Sequence, residues 1–159
     1  MAISSDIVES YRHPRAVIRR RLDQGPREDR VLVLLMLACG LNFVAQWPGL
    51  ARATYLDPSQ PLEARLGGAL LATLFLVPLI AYGVAGLSHL ISKVFGGKGS
   101  GYGARLALFW AMLAAAPLML LQGLVSGFIG AGSAQIAVGL VVLGGFLFIW
   151  LNGLVEAER

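Results

Sequence analysis

Residues 66–92 read LGGALLATLFLVPLIAYGVAGLSHLIS, a run without an Asp, Glu, Lys or Arg. A helix needs about 20 consecutive apolar residues to cross the hydrocarbon core of a bilayer, and a water-soluble domain rarely offers so long an uncharged stretch. This run is therefore read as a membrane span. Three others accompany it, at 31–50 (VLVLLMLACGLNFVAQWPGL), 104–128 and 134–153. None of the three contains an Asp, Glu or Lys, and Arg105 stands at the very start of the third. The expected fold class is an all-α integral membrane protein with four transmembrane helices and a basic, partly amphipathic N-terminal arm. Its parts are the arm at 1–30, a four-helix domain at 31–155 and a cytoplasmic tail at 156–159.

Composition agrees. Of 159 residues, 57% are hydrophobic and 14% charged, against roughly 45–50% apolar and about 25% charged in soluble domains. Mean hydropathy is +0.71. Cys39 is the single cysteine, which excludes an internal disulfide and paired-thiol redox chemistry. The excess of arginine over lysine, with abundant Ala, Gly and Leu, fits a GC-rich bacterial genome. The first 30 residues carry Arg12, Arg15, Arg19, Arg20, Arg21, Arg27 and Arg30 with no continuous apolar stretch, so no cleavable signal peptide is expected.

Orientation follows from cations flanking the spans. The arm's seven arginines, Lys93, Lys98 and Arg105 between spans two and three, and Arg159 would share one side; only Arg52 and Arg65 fall on the other. Cytoplasmic loops carry the excess of Lys and Arg, so both termini are expected inside a bacterial inner membrane. Trp47, Trp110 and Trp150 fall near predicted span ends, where amphipathic rings favour the interface. In the arm, Ile7, Val8, Tyr11, Val17, Ile18 and Leu22 recur at loosely helical spacing among arginines. Pro14 suits a first helical turn and Gly25-Pro26 a stop. This pattern fits a helix lying on the inner leaflet.

The most enzyme-like stretch is GGKGSGYG at 96–103. It fails the phosphate-loop pattern, since Lys98 is followed by Gly99 rather than a hydroxyl and Ser92 stands where the first glycine belongs. Gly99, Gly101 and Gly103 also miss the dinucleotide spacing. It reads as a glycine hinge between helices, where positive φ is cheap. No acid lies within it, so Lys93, Lys98 and Arg105, like Arg19, Arg20 and Arg21 of the arm, are candidates to meet anionic headgroups or an acidic partner. His13 lies in the arm and His89 stands alone near the cytoplasmic end of span two, so no haem-ligating pair is expected. No intramembrane carboxylate marks a proton path. No catalytic set, metal, cofactor or nucleic-acid site emerges.

The spans instead carry packing signals. Ala107, Ala111, Ala114 and Ala115 share a face of span three, with Gly123 and Gly127 beyond as GxxxG, a pattern that lets helices approach closely in lipid. Pro78 and Pro117 sit mid-span, as kinks or as broken helices round a midplane site. Asn42 and Gln46 share a face of span one with Cys39, and Gln122 and Ser126 lie at matching depth in span three. Amides facing lipid would be left unpaired, so spans one and three are expected to touch there and exchange hydrogen bonds.

HPRAVIRRRL (13–22), SHLISKVFGGKGSGYGARLALFWAML (88–113) and AAAPLM (114–119) together resemble the Yip (Ypt-interacting-protein) family of small polytopic membrane proteins, in its short bacterial form, over about residues 12–155. The loop at 89–103 is the most specific part. The resemblance implies a membrane protein without catalytic residues; eukaryotic members are associated with Rab-type GTPases and transport vesicles. Members commonly have five spans, so four imply a shortened one. The expected function is non-enzymatic lateral association with the bilayer and with other membrane proteins or itself, as an accessory subunit or membrane organiser. The alternatives are a small oligomeric channel or transporter built round the two prolines and, third, a lipid-surface sensor.

Overall fold

The computed structural model describes residues 3–159, and among these every regular element is helical. The arm forms α1 (Ile3–Ser10) and α2 (Pro14–Asp23). Span one is α3 (Glu28–Leu56). Span two is α4 (Leu62–Leu71) and α5 (Val77–Val94), joined through a π-helical turn at Ala72–Leu76. Span three is α6 (Gly101–Ala114) and α7 (Ala116–Phe128), bent by 42° at the break. Span four is α8 (Ser133–Ala157). Counting the bent pair as one, four helical segments are long and apolar enough to cross a membrane.

Both mid-span prolines leave a local signature. Pro78 has no N–H to offer the preceding turn and its ring crowds that turn's carbonyl. The ladder widens just ahead of it, where Val77 N–H bonds Ala72 O in the π register. At Pro117 the helix breaks instead. Here Tyr11 Oη–H donates to the carbonyl of Ala114 at 2.5 Å, so the arm caps a backbone oxygen at the bend. Partial burial pushes the Tyr11 phenol above its ordinary pKa.

α6 is the centre of the molecule, touched by α1, α2, α3, α5 and α8. Phe109 and Trp110 are fully buried, and Leu106 and Leu113 nearly so, against Leu35 and Ile149. Lipid-facing residues supply the contrast: Phe75, Leu79, Leu140 and many others of α3–α5 and α8 stay exposed. In water such faces would aggregate; in a bilayer they meet solvent of their own kind.

The arm packs against the bundle. Val17 and Ile18 are completely buried against α6 and α8, each burial contributing about 1.5–3 kcal/mol. Trp110 is consequently no interfacial ring: its Nε1–H donates to Ser10 Oγ at 2.8 Å, and that hydroxyl donates to Asp6 O at 2.8 Å. The apolar face seen in the sequence is real, but its partner is the bundle. Val8 alone among the large apolar residues of that face is clearly exposed.

The predicted tail is likewise part of the body. α8 runs on to Ala157, and Glu156 and Glu158 are buried. Glu156 pairs with Arg19 at 2.8 Å and Arg159 at 3.1 Å, and Glu158 meets His89 Nδ1 at 2.7 Å. Glu156 thus has the partners that burial requires, whereas Glu158 is met at Oε1 only and its Oε2 is buried without a partner.

These contacts explain the glycine loop. Gly96, at φ +86°, ends α5: Gly96 N–H bonds Lys93 O and Gly97 N–H bonds Ser92 O, a glycine C-cap. Ser100 opens α6 by accepting Gly103 N–H on its side chain. Between the caps, Lys98 N–H donates to Glu158 O at 2.8 Å, and a Cβ on Gly99 would overlap the Ala157 carbonyl. The stretch is a fixed crossing pressed against the end of α8, not a free hinge.

Candidate functional site between spans one, three and four

The tightest helix pair is α3 with α7, and glycine makes it so. A Cβ on Gly123 would overlap the Ala45 carbonyl, and one on Gly127 would overlap the Pro48 ring. Opposite them, a Cβ on Gly49 would stand 3.4 Å from Ser126 Cβ, near the span a disulfide bridges. Gly49→Cys with Ser126→Cys, in a Cys39→Ala background, is therefore expected to oxidise to an intrachain disulfide in membranes. Mobility on non-reducing gels reads the outcome; thiols that stay free under oxidant contradict this register.

The other small residues of span three serve a second helix. Ala107, Ala111 and Ala115 are fully buried, and Ala107 Cβ lies 3.4 Å from where Gly153 of α8 would carry one. Ala107 and the GxxxG therefore look in different directions, towards α8 and α3 respectively.

Below the clasp, a cleft of about 650 Å³ opens between α3, α7 and α8. Asn42, Gln46, Gln122 and Ser126 all line it, together with Arg52 and Gln135. The expected amide exchange between spans one and three is absent. Gln46 Nε2 donates to Thr73 Oγ1 at 2.8 Å and to its own helix at Asn42 O at 3.4 Å. Ser126 Oγ instead accepts from Gln135 Nε2 of span four at 2.8 Å. Gln122 Oε1 is buried without a partner. Glycine brings the two backbones together, while the polar side chains turn sideways to spans two and four, where hydroxyl and amide partners happen to lie.

Arg52 is more than a loop cation. It sits in the last turns of α3, and its Nη1 donates to Gly127 O at 3.3 Å, serving the carbonyl end of α7. Gly130, at φ +87°, ends that helix, with its N–H on Val125 O. A Cβ there would meet Arg52 Nε at 2.7 Å, so the guanidinium fills the space glycine leaves. No ion pair to Arg52 occurs among the described residues.

Four of the six cations expected to meet headgroups are engaged inside the chain. Arg19 pairs with Glu156, and Arg20 with Asp6 at 2.9 Å and Glu9 at 2.8 Å. Arg21 pairs with Asp6 at 2.9 Å and lies 4.1 Å over the Trp110 ring; burial pulls its guanidinium below the ordinary arginine value, against the carboxylate. Arg105 pairs with Glu28. Lys93 and Lys98 remain exposed. The arm's own acids, Asp6 and Glu9, are the partners that fix Arg20 and Arg21.

No group of three or more His, Cys, Asp or Glu able to hold a metal occurs among the described residues, and the cleft's lining includes none of these residue types. Its chemistry is hydrogen bonding plus one guanidinium. No curated protein and no solved structure matches the chain significantly. The sequence model of the Yip1 domain matches residues 8–158, from the arm to the end of α8. The match takes in both arm and bundle, which the structure joins into one body, and the protein belongs to the Yip1 domain family.

Proposed function

We propose that this member of the family is a non-enzymatic protein of the bacterial inner membrane that works by lateral association, as an accessory or assembly partner of a membrane complex or as a membrane organiser. The observation that supports this reading is the filled centre. A channel needs a continuous wet path, whereas Phe109, Trp110, Leu106 and Leu113 of α6 occupy the middle of the bundle against Leu35 and Ile149. The polar cleft reaches inward only to Asn42 and Met119, beyond which the lining is apolar. Surface that remains for work is the outward face of the spans.

Orientation follows the charges. Arm, glycine loop and the end of α8 meet at one end of the bundle through Arg19–Glu156 and Lys98–Glu158, collecting the cation-rich segments. That end is assigned to the cytoplasm. The experiment is purification in a mild detergent with identification of co-eluting proteins, alongside ion and solute flux in proteoliposomes. Reproducible co-elution of a membrane protein or a defined self-assembly, with no flux above empty vesicles, is expected. Flux that scales with protein and is abolished by a bulky residue at Gln122 would establish the channel reading instead.

A further inference from the structure

A second hollow continues the cleft. About 340 Å³ in volume, it shares Asn42 and Met119 with the polar cleft and is otherwise walled by apolar residues of α5, α6 and α8, including Met112, Phe146 and Trp150. Ile80 and Val84, exposed on α5, form its rim, so it opens sideways to the bilayer. The two hollows run end to end, one polar near the end of the bundle that holds Arg52, the other apolar and deeper. Each also contains a residue with an unsatisfied buried atom: Gln122 Oε1 in the cleft and Trp150 Nε1 in the crevice. Buried polar groups in folded proteins nearly always find partners. A polar head and apolar tail in this order describe an amphiphile.

We propose that the two hollows are one site for a single anionic phospholipid, its phosphate at Arg52 and an acyl chain laid past Met119 along Met112 and Phe146. The charge of the head follows from the lining. Arg52 offers a guanidinium with donors to spare and no paired acid among the described residues, the geometry favoured for phosphate. No carboxylate lines the cleft to receive an ammonium, so a zwitterionic head leaves its cation unpaired. Gln135 and Gln46 supply amides for hydroxyls on the head. Both volumes fall within the range of built ligand sites, about 300–1,000 Å³. Depth fits too: Arg52 and Gly130 lie at the end of α7, whereas Trp150 and Met112 lie further along the bundle.

The test is native mass spectrometry of the full chain released from detergent loaded with equal phosphatidylglycerol and phosphatidylcholine. Both lipids offer Arg52 a phosphate, but choline brings a second cation beside it with no carboxylate in the cleft to receive it, so one retained phosphatidylglycerol is expected, favoured about tenfold. Arg52→Lys should keep most of the preference and Arg52→Gln should lose it, with gel filtration reporting whether each variant remains folded. Val84→Trp, placed at the exposed rim to fill the crevice, should lower retention of both lipids. Glycerol phosphate, which has the head without the tail, should not displace the lipid at equal concentration. Equal retention of the two lipids by the unsubstituted protein would overturn the proposal even if Arg52→Gln fails to fold. So would displacement by glycerol phosphate, or an undiminished preference in folded Arg52→Gln.

Discussion

Gly123→Leu is expected to leave no stable bundle. The first atom added at this position already overlaps the Ala45 carbonyl of α3, which is backbone and cannot rotate away. Inserting atoms into a packed contact costs about 1–3 kcal/mol where side chains can adjust. Gly123→Ala should reach the upper part of that range, and leucine should force α3 and α7 apart. Their separation would also undo the Arg52 contact to Gly127 O and the wall of the polar cleft. Gly83, on the exposed face of α5, has nothing within 4 Å of a built Cβ, so Gly83→Leu is the matched control. Thermal unfolding in detergent should show a large loss for Gly123→Leu and little change for Gly83→Leu. Equal melting of the two would mean the α3–α7 contact is not a glycine clasp.

The second large effect belongs to the arm. Ile18→Asp places a carboxylate where the native side chain is completely buried against Gly153 and the α6 core. Arg21 and Arg19 are already committed to Asp6 and Glu156. A buried charge left without a partner costs about 3–5 kcal/mol, so the arm should detach. Its release uncovers Trp110 and removes the Tyr11 bond at the bend of span three. Limited proteolysis should cut the variant's arm at Arg19–Arg21 far faster than the parent's, with a lowered melting temperature of the remainder. Val8→Asp, at an exposed position on α1, should do neither. If Ile18→Asp melts like the parent, the arm is a leaflet-bound helix, as its amphipathic pattern alone suggested.

What the sequence disclosed was whatever depends on residue class along a continuous run. Four spans follow from uncharged length, the helix irregularities at Pro78 and Pro117 from proline, and the closeness of spans one and three from their amides at matching depth, although those amides do not bond each other. Partner choice was less visible, because it depends on rotation about each helix. Gln46 pairs with Thr73, a hydroxyl buried in the π turn before Pro78, and no periodicity within span one could select it. The arm illustrates the same limit: an apolar stripe flanked by arginines is identical whether it faces lipid or protein. The acids carry one further signal. Asp6 and Glu9 precede Arg20 and Arg21 in an arm that needs no acids for topology, and Glu156 and Glu158 close a chain otherwise poor in carboxylates. Acids so placed are most economically explained as internal partners for the arginines, and such pairing implies a docked arm and a docked tail. In the glycine loop only Gly96 has positive φ; the close approach of α8 constrains Gly99 and Gly103, and that approach has no local sequence trace.

Association through outward faces is the centre of the account, and photocrosslinking in intact membranes tests it most directly. A photoreactive residue placed singly at Leu79 and Leu87 of α5 and at Leu140 and Leu151 of α8 samples two exposed faces. The expected result is a discrete protein adduct from positions on one of these faces and lipid adducts alone from the other. Lipid adducts alone at all four positions, with the protein running as a single folded chain, would contradict it.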